Sequence, residues 1–393
     1  MTSTAAPDLG GVPTEVVDRV RDELARRGAA LTPALVSEAL REHGRPVGDR
    51  TVLAVLDLLR RDVLGAGPLE PLLRTEGVTD VLVNGPDAVY LDRGQGLEPT
   101  GVRFADDAAV RRLAQRLASS AGRRLDDATP YVDVRLADGT RFHAVLAPIA
   151  RPGTVISLRV PPAHAFTLPE LVASGSMSQD CARLLARVVA ARLAFLVTGG
   201  TGSGKTTLLS TLLGEVDPRH RVVVVEDATE LRPRHPHVVG LEARPANVED
   251  AGAVPLRALV RQALRMRPDR LVVGEVRGDE VVDMLAAMNT GHEGGCGTVH
   301  ANSAADVPAR LEALGMAAGL SQAAMHSQLA AAIDAVVHLQ RDADGVRRVA
   351  EVAVLVREPG GLVSARPAVT FAADGRMVER AAAPALGAAL ARC

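Results

Sequence analysis

The feature that most constrains the fold of this chain is a glycine-rich segment at residues 199–206, which reads GGTGSGKT and fits the pattern G-x-x-x-x-G-K-[ST]. It follows the apolar run Leu193–Thr198, which has the composition of a buried strand, and it leads into the helical sequence TTLLSTLLGE. A strand, a glycine turn and a helix in this order bring backbone N–H groups and the positive end of a helix to one point. The segment therefore predicts a phosphate-binding loop within an α/β fold.

Each type of residue in this loop has its own task. The glycines let backbone N–H groups close on a phosphate, Lys205 reaches the β- and γ-phosphates, and the Thr206 hydroxyl binds Mg²⁺. Lys205 is the only lysine among 45 lysines and arginines, and a compact ammonium fits between phosphates where a planar guanidinium does not. ATP and Mg²⁺ are thus the expected cofactors. The predicted nucleotide-binding residues of the loop are Gly199, Gly200, Thr201, Gly202, Ser203, Gly204, Lys205, Thr206 and Thr207.

Strongly apolar strands alternate with helices around the loop, which is typical of an α/β domain with a buried parallel sheet. The segment before it mixes short strands and helices, and Asp138-Gly139 marks a hairpin turn there. Three helices are predicted at the N-terminus, at 13–27, 32–42 and 49–64. They form either a packing appendage or a partner-docking module. The predicted divisions are a disordered tail at 1–12, a helical module at 13–64, an α+β domain at 65–160, a linker at 161–177, the α/β domain at 178–357 and a weakly patterned tail at 358–393.

Composition excludes several classes of protein. The net charge is −2 and the pI about 6.6, whereas a domain that coats nucleic acid is expected to have a pI above about 9. Five Phe, two Tyr and no Trp leave few platforms for base stacking. Three widely spaced cysteines indicate neither a zinc site nor a disulfide framework. With no signal-peptide pattern and no membrane-spanning run, a cytoplasmic location is expected.

Acidic residues and histidines after the loop are candidates for catalysis. Glu226 and Glu275 end apolar strands, and strand ends form the rim at which ligands bind in α/β folds; the alternative is a solvated strand end. Glu275 is the candidate to polarise the attacking water. His292 and His300 lie in a glycine-rich segment that is either a metal site with Glu293 or, with a better fit, a mobile sensor of the γ-phosphate. The predicted catalytic residues are Glu275, Glu226, His300 and Lys205, and the predicted metal ligands are Thr206 and Glu275.

Together these segments resemble the four boxes of the type II/type IV secretion ATPase superfamily. GGTGSGKTT looks like Walker A, VVVVEDATEL like the Asp box, LRMRPDRLVVGEVRGDE like an atypical Walker B and GHEGGCGTVHANS like the His box. The preceding segments LGAGPLEPLL, VTDVLVNGPDAVYLDRG, GRRLDDATPYVDVRLADGTRFHAVL and ISLRV are similar to the CpaF/TadA branch, which drives tight-adherence (Flp) pili, and to its short actinobacterial members. The resemblance covers residues 48–355.

The resemblance implies a RecA-like P-loop ATPase domain after a smaller, PAS-like α+β domain. It implies a Mg²⁺-dependent homohexamer at the cytoplasmic face of the inner membrane, coupled to a membrane platform protein of a pilus or secretion system. The charge balance and the low aromatic content, rather than the resemblance, are the reason to expect no direct nucleic-acid contact. The resemblance further implies that ATP lies between the two domains. The implied phosphate contacts of the N-terminal domain are Arg124, Arg141 and Arg159, with Arg123 a weaker candidate; each could equally be a surface charge.

Some features depart from the family pattern or fit more than one function. Gly274 stands where Walker B usually has an Asp, and glycines at 295 and 297 replace a polar residue of the His box, so we expect a more flexible box.

Arg257, Arg261 and Arg265 recur on one helix face and could meet phosphate, a neighbouring subunit or solvent. The alternatives to a pilus or secretion ATPase are a conjugal DNA-transfer motor and a nucleotide-gated scaffold with little hydrolysis.

Overall fold

The computed structural model describes residues 32–42, 48, 51–53, 55–56, 65–94, 96–161, 165–244, 246, 251–342, 345–372 and 374–392. The predicted tail at 1–12 and the first predicted helix at 13–27 lie outside these residues, as does most of the third predicted helix at 49–64. The second helix is confirmed as α1 (Pro33–Glu42). The chain divides into two compact units, Met1–Pro162 and Ala163–Cys393.

The N-terminal unit is built on a six-stranded antiparallel sheet in the order β3-β2-β1-β6-β5-β4. Side chains alternate along its strands, so that one face is apolar and the other polar. The helix α3 has its N-cap at Asp106, whose carboxylate accepts a 2.7 Å hydrogen bond from the Ala109 N–H. Buried residues of α3 and of the apolar sheet face form a single core. The elements are α2 (Glu70–Leu73), β1 (Asp80–Asn84), β2 (Val89–Asp92), β3 (Leu97–Pro99), α3 (Asp107–Ser120), β4 (Tyr131–Arg135), β5 (Arg141–Val145) and β6 (Val155–Arg159).

The C-terminal unit is built on a nine-stranded sheet in the order β15-β14-β13-β12-β7-β11-β10-β8-β9. The six strands from β12 to β9 are parallel, and β13, β14 and β15 extend the sheet with antiparallel pairs. The strands are β7 (Phe195–Gly199), β8 (Val222–Glu226), β9 (Val238–Glu242), β10 (Arg270–Val276), β11 (Cys296–Val299), β12 (Ala335–Arg341), β13 (Arg347–Arg357), β14 (Val363–Phe371) and β15 (Met377–Glu379).

Helices cover both faces of this sheet and produce two separate cores. Phe195 and Val197 belong to one core and Leu196 to the other, because successive side chains of a strand point to opposite faces. This confirms the predicted α/β class and explains why the central strands are apolar at every position. The helices are α4 (Leu168–Ala173), α5 (Gln179–Ala190), α6 (Lys205–Gly214), α7 (Leu256–Ala263), α8 (Glu280–Met288), α9 (Val307–Ala317), α10 (Gln322–Ala332) and α11 (Ala383–Leu390).

Two predicted segments have more structure than the sequence indicated. The region at 161–177, expected to be a linker, contains α4, whose Thr167 and Glu170 form a reciprocal capping box and whose Leu168 and Leu171 enter the core. The tail expected at 358–393 contributes β14, β15 and α11. Both predictions were wrong because these elements are short, and their apolar residues are stabilised by packing rather than by a periodic pattern of their own.

The segment Ala313–Ile333, which is free of charges, falls on α9 and α10. Within the described parts of the chain, no helix combines the length and the apolar character that crossing a membrane requires.

Candidate active site

The glycine-rich loop joins β7 to α6, as the motif predicts. It ends at Gly204, which has a φ of +95° and therefore a left-handed conformation at the helix N-cap. Lys205 is only 7 % exposed, and its Nζ donates hydrogen bonds to the carbonyls of Gly199 (3.0 Å) and Gly200 (2.9 Å). Burial lowers the pKa of Lys205, and the negative charge of Glu275 partly offsets this effect. The single lysine is thus held at the mouth of a loop shaped to bind an anion.

Glu275 lies beside Lys205 and is linked to it through His300. His300 Nε2 is 2.8 Å from Glu275 Oε1, and His300 Nδ1 is 3.4 Å from Lys205 Nζ. On its other side, Glu275 Oε2 accepts a hydrogen bond of 2.5 Å from Arg277. Residues predicted on a loop, a strand end and a separate box therefore meet in one continuous network.

The charges in this network determine which groups are ionised. Burial opposes ionisation of Glu275, but the hydrogen bond from Arg277 and the charges of Arg277, His300 and Lys205 outweigh it, and the pKa of Glu275 is lowered. The pKa of His300 is also lowered, first by burial and then by the charge of Lys205. At neutral pH the network therefore holds an ionised carboxylate against a neutral imidazole.

Glu226 occupies a different environment from Glu275. It is 5 % exposed, and its Oε1 accepts 3.0 Å hydrogen bonds from the N–H groups of Glu230 and Leu231. Burial dominates these contacts and raises the pKa of Glu226 to about 7. Gly274 explains how this carboxylate fits, since a Cβ there would lie 2.4 Å from Glu226 Cγ. Glycine in place of the usual Walker B aspartate at position 274 thus leaves room for the Glu226 side chain.

The predicted metal ligands Thr206 and Glu275 have separate partners. Thr206 Oγ1 donates to Glu230 Oε2 over 3.2 Å, while Glu275 contacts His300 and Arg277. Among the described residues, no group of three or more His, Cys, Asp and Glu forms a protein-only metal site. Mg²⁺ commonly binds through one or two protein oxygens together with phosphates and water. The Thr206 hydroxyl with the adjacent Glu230 carboxylate fits that donor set, and the prediction did not include Glu230.

The His box has a different conformation from the one expected. Its centre is the buried strand β11, where a Cβ at Gly297 would lie 2.6 Å from the carbonyl oxygen of Val273. This glycine allows close packing of β11 against β10. His292 Nδ1 lies 3.2 Å from the carbonyl oxygen of Ala287, before β11, whereas His300 follows the strand. The two histidines lie at opposite ends of β11, and among the described residues neither belongs to a cluster of His, Cys, Asp and Glu that could hold a metal ion.

The arginines predicted to contact phosphate each have an acidic partner within the N-terminal unit. Arg124 pairs with Asp126 in the loop after α3. Arg141 binds Asp133 through two hydrogen bonds of 3.1 and 2.8 Å, and Arg159 binds Asp80 at 3.1 Å. The hydrogen bond from Arg141 lowers the pKa of Asp133. Arg141 and Arg159 share the polar sheet face with a shallow groove of about 250 Å³, lined by Asp80, Asp133, Arg141, His143, Ser157 and Arg159.

The arginine stripe on α7 has partners on the neighbouring helix α8. Arg257 Nε binds Asp283 at 2.6 Å and its Nη1 binds Asp279 at 3.1 Å, while Arg261 Nε binds Asp283 at 2.8 Å. Arg257 and Arg261 therefore form ion pairs within the chain. Of the predicted alternatives of phosphate, a neighbouring subunit or solvent, the structure gives no support to phosphate.

Sequence reasoning missed two residues that hold Glu275 in place. Arg277 forms the hydrogen bond that keeps Glu275 ionised, and Glu280 Oε1 accepts the N–H groups of Arg277 (2.6 Å) and Gly278 (2.8 Å). Glu280 is 4 % exposed although it is a carboxylate at the start of α8. The signal available in the sequence was an acid three residues after Arg277 at a predicted helix start, where carboxylates bind free N–H groups.

Comparison with known proteins adds independent information. A family model described as type II/IV secretion system protein matches residues 62–377. A "Putative conjugal transfer protein" of Mycobacterium tuberculosis (strain H37Rv) is 58 % identical over 343 residues, covering 86 % of this chain and 97 % of that protein. "Type IV secretion system protein PtlH" of Bordetella pertussis is 34 % identical, covering 71 % of this chain and 91 % of that protein.

Solved structures give the same picture of the fold. The X-ray structure of the ATPase DotB from Legionella pneumophila matches with a TM-score of 0.50 at 19 % identity, covering 75 % of this chain and 80 % of that chain. At this level of identity the match concerns the fold alone. It agrees with an α/β chain that contains a RecA-like domain, as the alternation of apolar strands and helices predicted.

Proposed function

Because this chain belongs to the type II/IV secretion system protein family, we propose that it is a Mg²⁺-dependent ATPase that converts ATP to ADP and phosphate. The observation that carries the proposal is the continuous network of Lys205, His300 and Glu275 at the glycine-rich loop. A loop that only bound nucleotide would not require a partly buried, ionised carboxylate next to its lysine. This network therefore favours hydrolysis over a scaffold that binds ATP without turnover.

The residues have distinct roles in the proposed reaction. Lys205 and the loop N–H groups hold the β- and γ-phosphates, and the Thr206 hydroxyl and the Glu230 carboxylate hold Mg²⁺, which when bound neutralises phosphate charge. Glu275 accepts a hydrogen bond from the attacking water and orients it; its lowered pKa makes it a better orienting group than a strong base. Neutral His300 donates a hydrogen bond to the γ-phosphate or accepts one from the attacking water. Glu226 supports the metal and the water by holding the backbone of Glu230. Arg124, Arg141 and Arg159 are proposed phosphate ligands.

The cellular role we propose is to power a pilus or a protein-secretion apparatus as a homohexamer, peripheral at the inner face of the plasma membrane through a platform protein. The family membership supports the secretion role. The segments similar to the CpaF/TadA branch support a Flp/Tad-type system. The other assembly ATPases that the chain resembles usually carry a tetracysteine zinc module, and this sequence has only three widely spaced cysteines.

A second candidate is an ATPase of conjugal DNA transfer. The name of the 58 % identical relative favours it, as does "Probable conjugal transfer protein TrbB" of Sinorhizobium fredii, which is 31 % identical over 74 % of this chain and 86 % of that protein. A net charge of −2 weighs against direct contact with DNA. Salt-dependent binding of duplex or single-stranded DNA by the purified chain would favour this candidate, and its absence at low salt would favour protein export or pilus assembly.

The ATPase proposal is tested by the turnover of purified full-length chain with Mg²⁺ and ATP, measured against protein concentration. We expect activity per chain to rise with concentration as subunits assemble. Lys205→Arg should reduce turnover about 10²- to 10³-fold, the cost of losing one preorganised transition-state donor, because a guanidinium does not fit the ammonium site. An unchanged melting temperature would show that the fold is intact. Full activity in Lys205→Arg would refute the proposed mechanism.

A further inference from the structure

The antiparallel strands β12 and β13 lie directly beside the glycine-rich loop. β12 pairs in parallel with β7 and places Leu339 opposite Gly199, the first residue of the loop. A Cβ at Gly199, whose φ is +153°, would lie 2.5 Å from the carbonyl oxygen of Leu339. The Leu339 carbonyl thus occupies the space that a side chain at Gly199 would need, so the position of β12 limits the path the loop can take.

Arg347, the first residue of β13, forms a side-chain bond to the same loop. Its Nε donates a 2.8 Å hydrogen bond to the carbonyl oxygen of Gly202, a residue 145 positions away in the sequence. Its Cδ would be 3.5 Å from a Cβ at Gly204, so the aliphatic part of the side chain also packs against the loop. Lys205 binds the carbonyls of Gly199 and Gly200, and Arg347 therefore holds a third carbonyl of the loop.

The direction of this carbonyl has a consequence for phosphate binding. In a trans peptide the C=O and the following N–H point in opposite directions. With the Gly202 carbonyl directed to Arg347, the Ser203 N–H is directed to the opposite side, where its contact with the Gly200 carbonyl is a long 3.4 Å. A donor in such a weak hydrogen bond is available to a stronger acceptor such as a phosphate oxygen.

From these contacts we infer that Arg347 is a positioning residue of the phosphate loop: by binding the Gly202 carbonyl it directs the Ser203 N–H towards the nucleotide phosphates. The inference rests on the proposed nucleotide-binding function. Arg347 acts through the loop backbone, which distinguishes it from the arginines proposed to touch phosphate themselves.

The chemistry of the side chain allows a sharp test. The hydrogen bond comes from Nε, and glutamine carries an N–H donor at the same number of bonds from Cα, within a planar group and without charge. Lysine keeps the positive charge but has a methylene group at that position. A positioning role therefore requires the donor and predicts rescue by Gln, whereas a direct charge contact with phosphate requires the charge and predicts rescue by Lys.

The experiment measures the Kd for ADP with Mg²⁺ by calorimetry on the full-length chain, together with the melting temperature. We expect Arg347→Ala and Arg347→Lys to raise the Kd about tenfold, the effect of losing a hydrogen bond to a charged group, and Arg347→Gln to retain an affinity close to that of the unchanged chain. Arg357→Gln, an exposed arginine at the other end of β13, is the matched control and should change nothing.

Three outcomes would overturn the inference. The first is unchanged affinity in Arg347→Ala, and the second is rescue by Lys instead of Gln. The third is a melting temperature that falls in proportion to the loss of affinity in Arg347→Ala, Arg347→Lys and Arg347→Gln. Such a correlation would indicate a purely structural role. Failure of the unchanged chain to bind ADP would instead refute the proposed function, so the two failures are distinguishable.

Discussion

Two charged regions of this protein use the same types of residue in opposite ways. In the C-terminal unit, Lys205 is 7 % exposed and contacts His300, which in turn contacts Glu275. On the polar sheet face of the N-terminal unit, the side chains of Arg141 and Arg159 are 42 % and 62 % exposed, and each pairs with its own acid. One region is a partly buried network of shared partners, and the other consists of more exposed ion pairs.

The difference teaches what each region can contribute to phosphate binding. Exposed ion pairs stabilise a protein by about 0–1 kcal/mol, so Arg141 and Arg159 can exchange their acids for another anion at little cost. Lys205 and Glu275 are partly desolvated, where charges interact more strongly and fixed orientation is retained. The partly buried network is therefore suited to fixing a reaction geometry, and the exposed arginines are suited to changing partners.

The largest effect should come from breaking the network around Lys205. Glu275→Gln removes the charge that orients water and leaves the shape of the side chain, so we expect turnover to fall about 10²- to 10⁴-fold with ADP affinity retained. Glu293→Gln is a matched control, because Glu293 is an exposed acid of the His box segment. If Glu275→Gln lost turnover but still supported pilus assembly or secretion, the result would instead favour a nucleotide-gated scaffold.

The free energy of unfolding should depend on pH in opposite directions for the buried Glu226 and for an exposed acid such as Asp133. The pKa of Glu226 is raised from 4.5 to about 7, so the folded chain binds this proton more tightly than the unfolded chain does. Its contribution to stability is therefore present below about pH 4.5 and lost as the pH rises to about 7. We expect Glu226→Gln to be more stable than the unchanged chain by about 3 kcal/mol at pH 8, given about 1.4 kcal/mol per pKa unit, and equal to it near pH 4.5.

Chemical denaturation at the two pH values measures this difference. Asp133→Asn provides the contrast, because the hydrogen bond from Arg141 lowers the pKa of Asp133. Its stabilising contribution is present above the ordinary pKa of 3.8 and lost as the pH falls. A Glu226→Gln variant with the same pH dependence as the unchanged chain would contradict the buried, raised-pKa description of Glu226.

The smallest effect on stability is expected on the N-terminal sheet face. Arg141→Gln and Arg159→Gln should each change the free energy of unfolding by less than about 1 kcal/mol. If these arginines bind phosphate in the reaction, turnover should fall about 10- to 100-fold, the effect of losing a hydrogen bond to a charged group. Arg93→Gln is the matched control, because Arg93 forms an exposed pair with Glu98 in the same unit. Unchanged turnover in both variants would show that the pairs are surface charges.

Much of the site could be predicted from the sequence because its parts are local. The glycine-rich loop, its single lysine and the helix that follows are contiguous, and the motif defines their chemistry without reference to the rest of the chain. Glu226 and Glu275 could be proposed because they end apolar strands, and acids at such ends meet at one edge of a sheet. The α/β class followed from strands that are apolar at every position.

Other features depended on contacts between distant segments. Nothing in the sequence around Gly274 shows that its missing side chain makes room for Glu226, and nothing around Arg347 shows that it binds Gly202. The last strands β14 and β15 have weak patterns of their own. β14 joins the sheet because β13 offers it a pairing edge, and β15 then pairs with β14.

The sequence by itself determined the phosphate loop, the class of fold and the family, since these depend on short patterns whose local physics is complete. The tertiary structure alone decided the electrostatics: Glu226 and Glu275 have similar positions in the sequence pattern, yet burial raises the pKa of one while Arg277, His300 and Lys205 lower that of the other. A pKa depends on every charge and dipole within a few ångströms, and folding brings those groups together from separate parts of the chain.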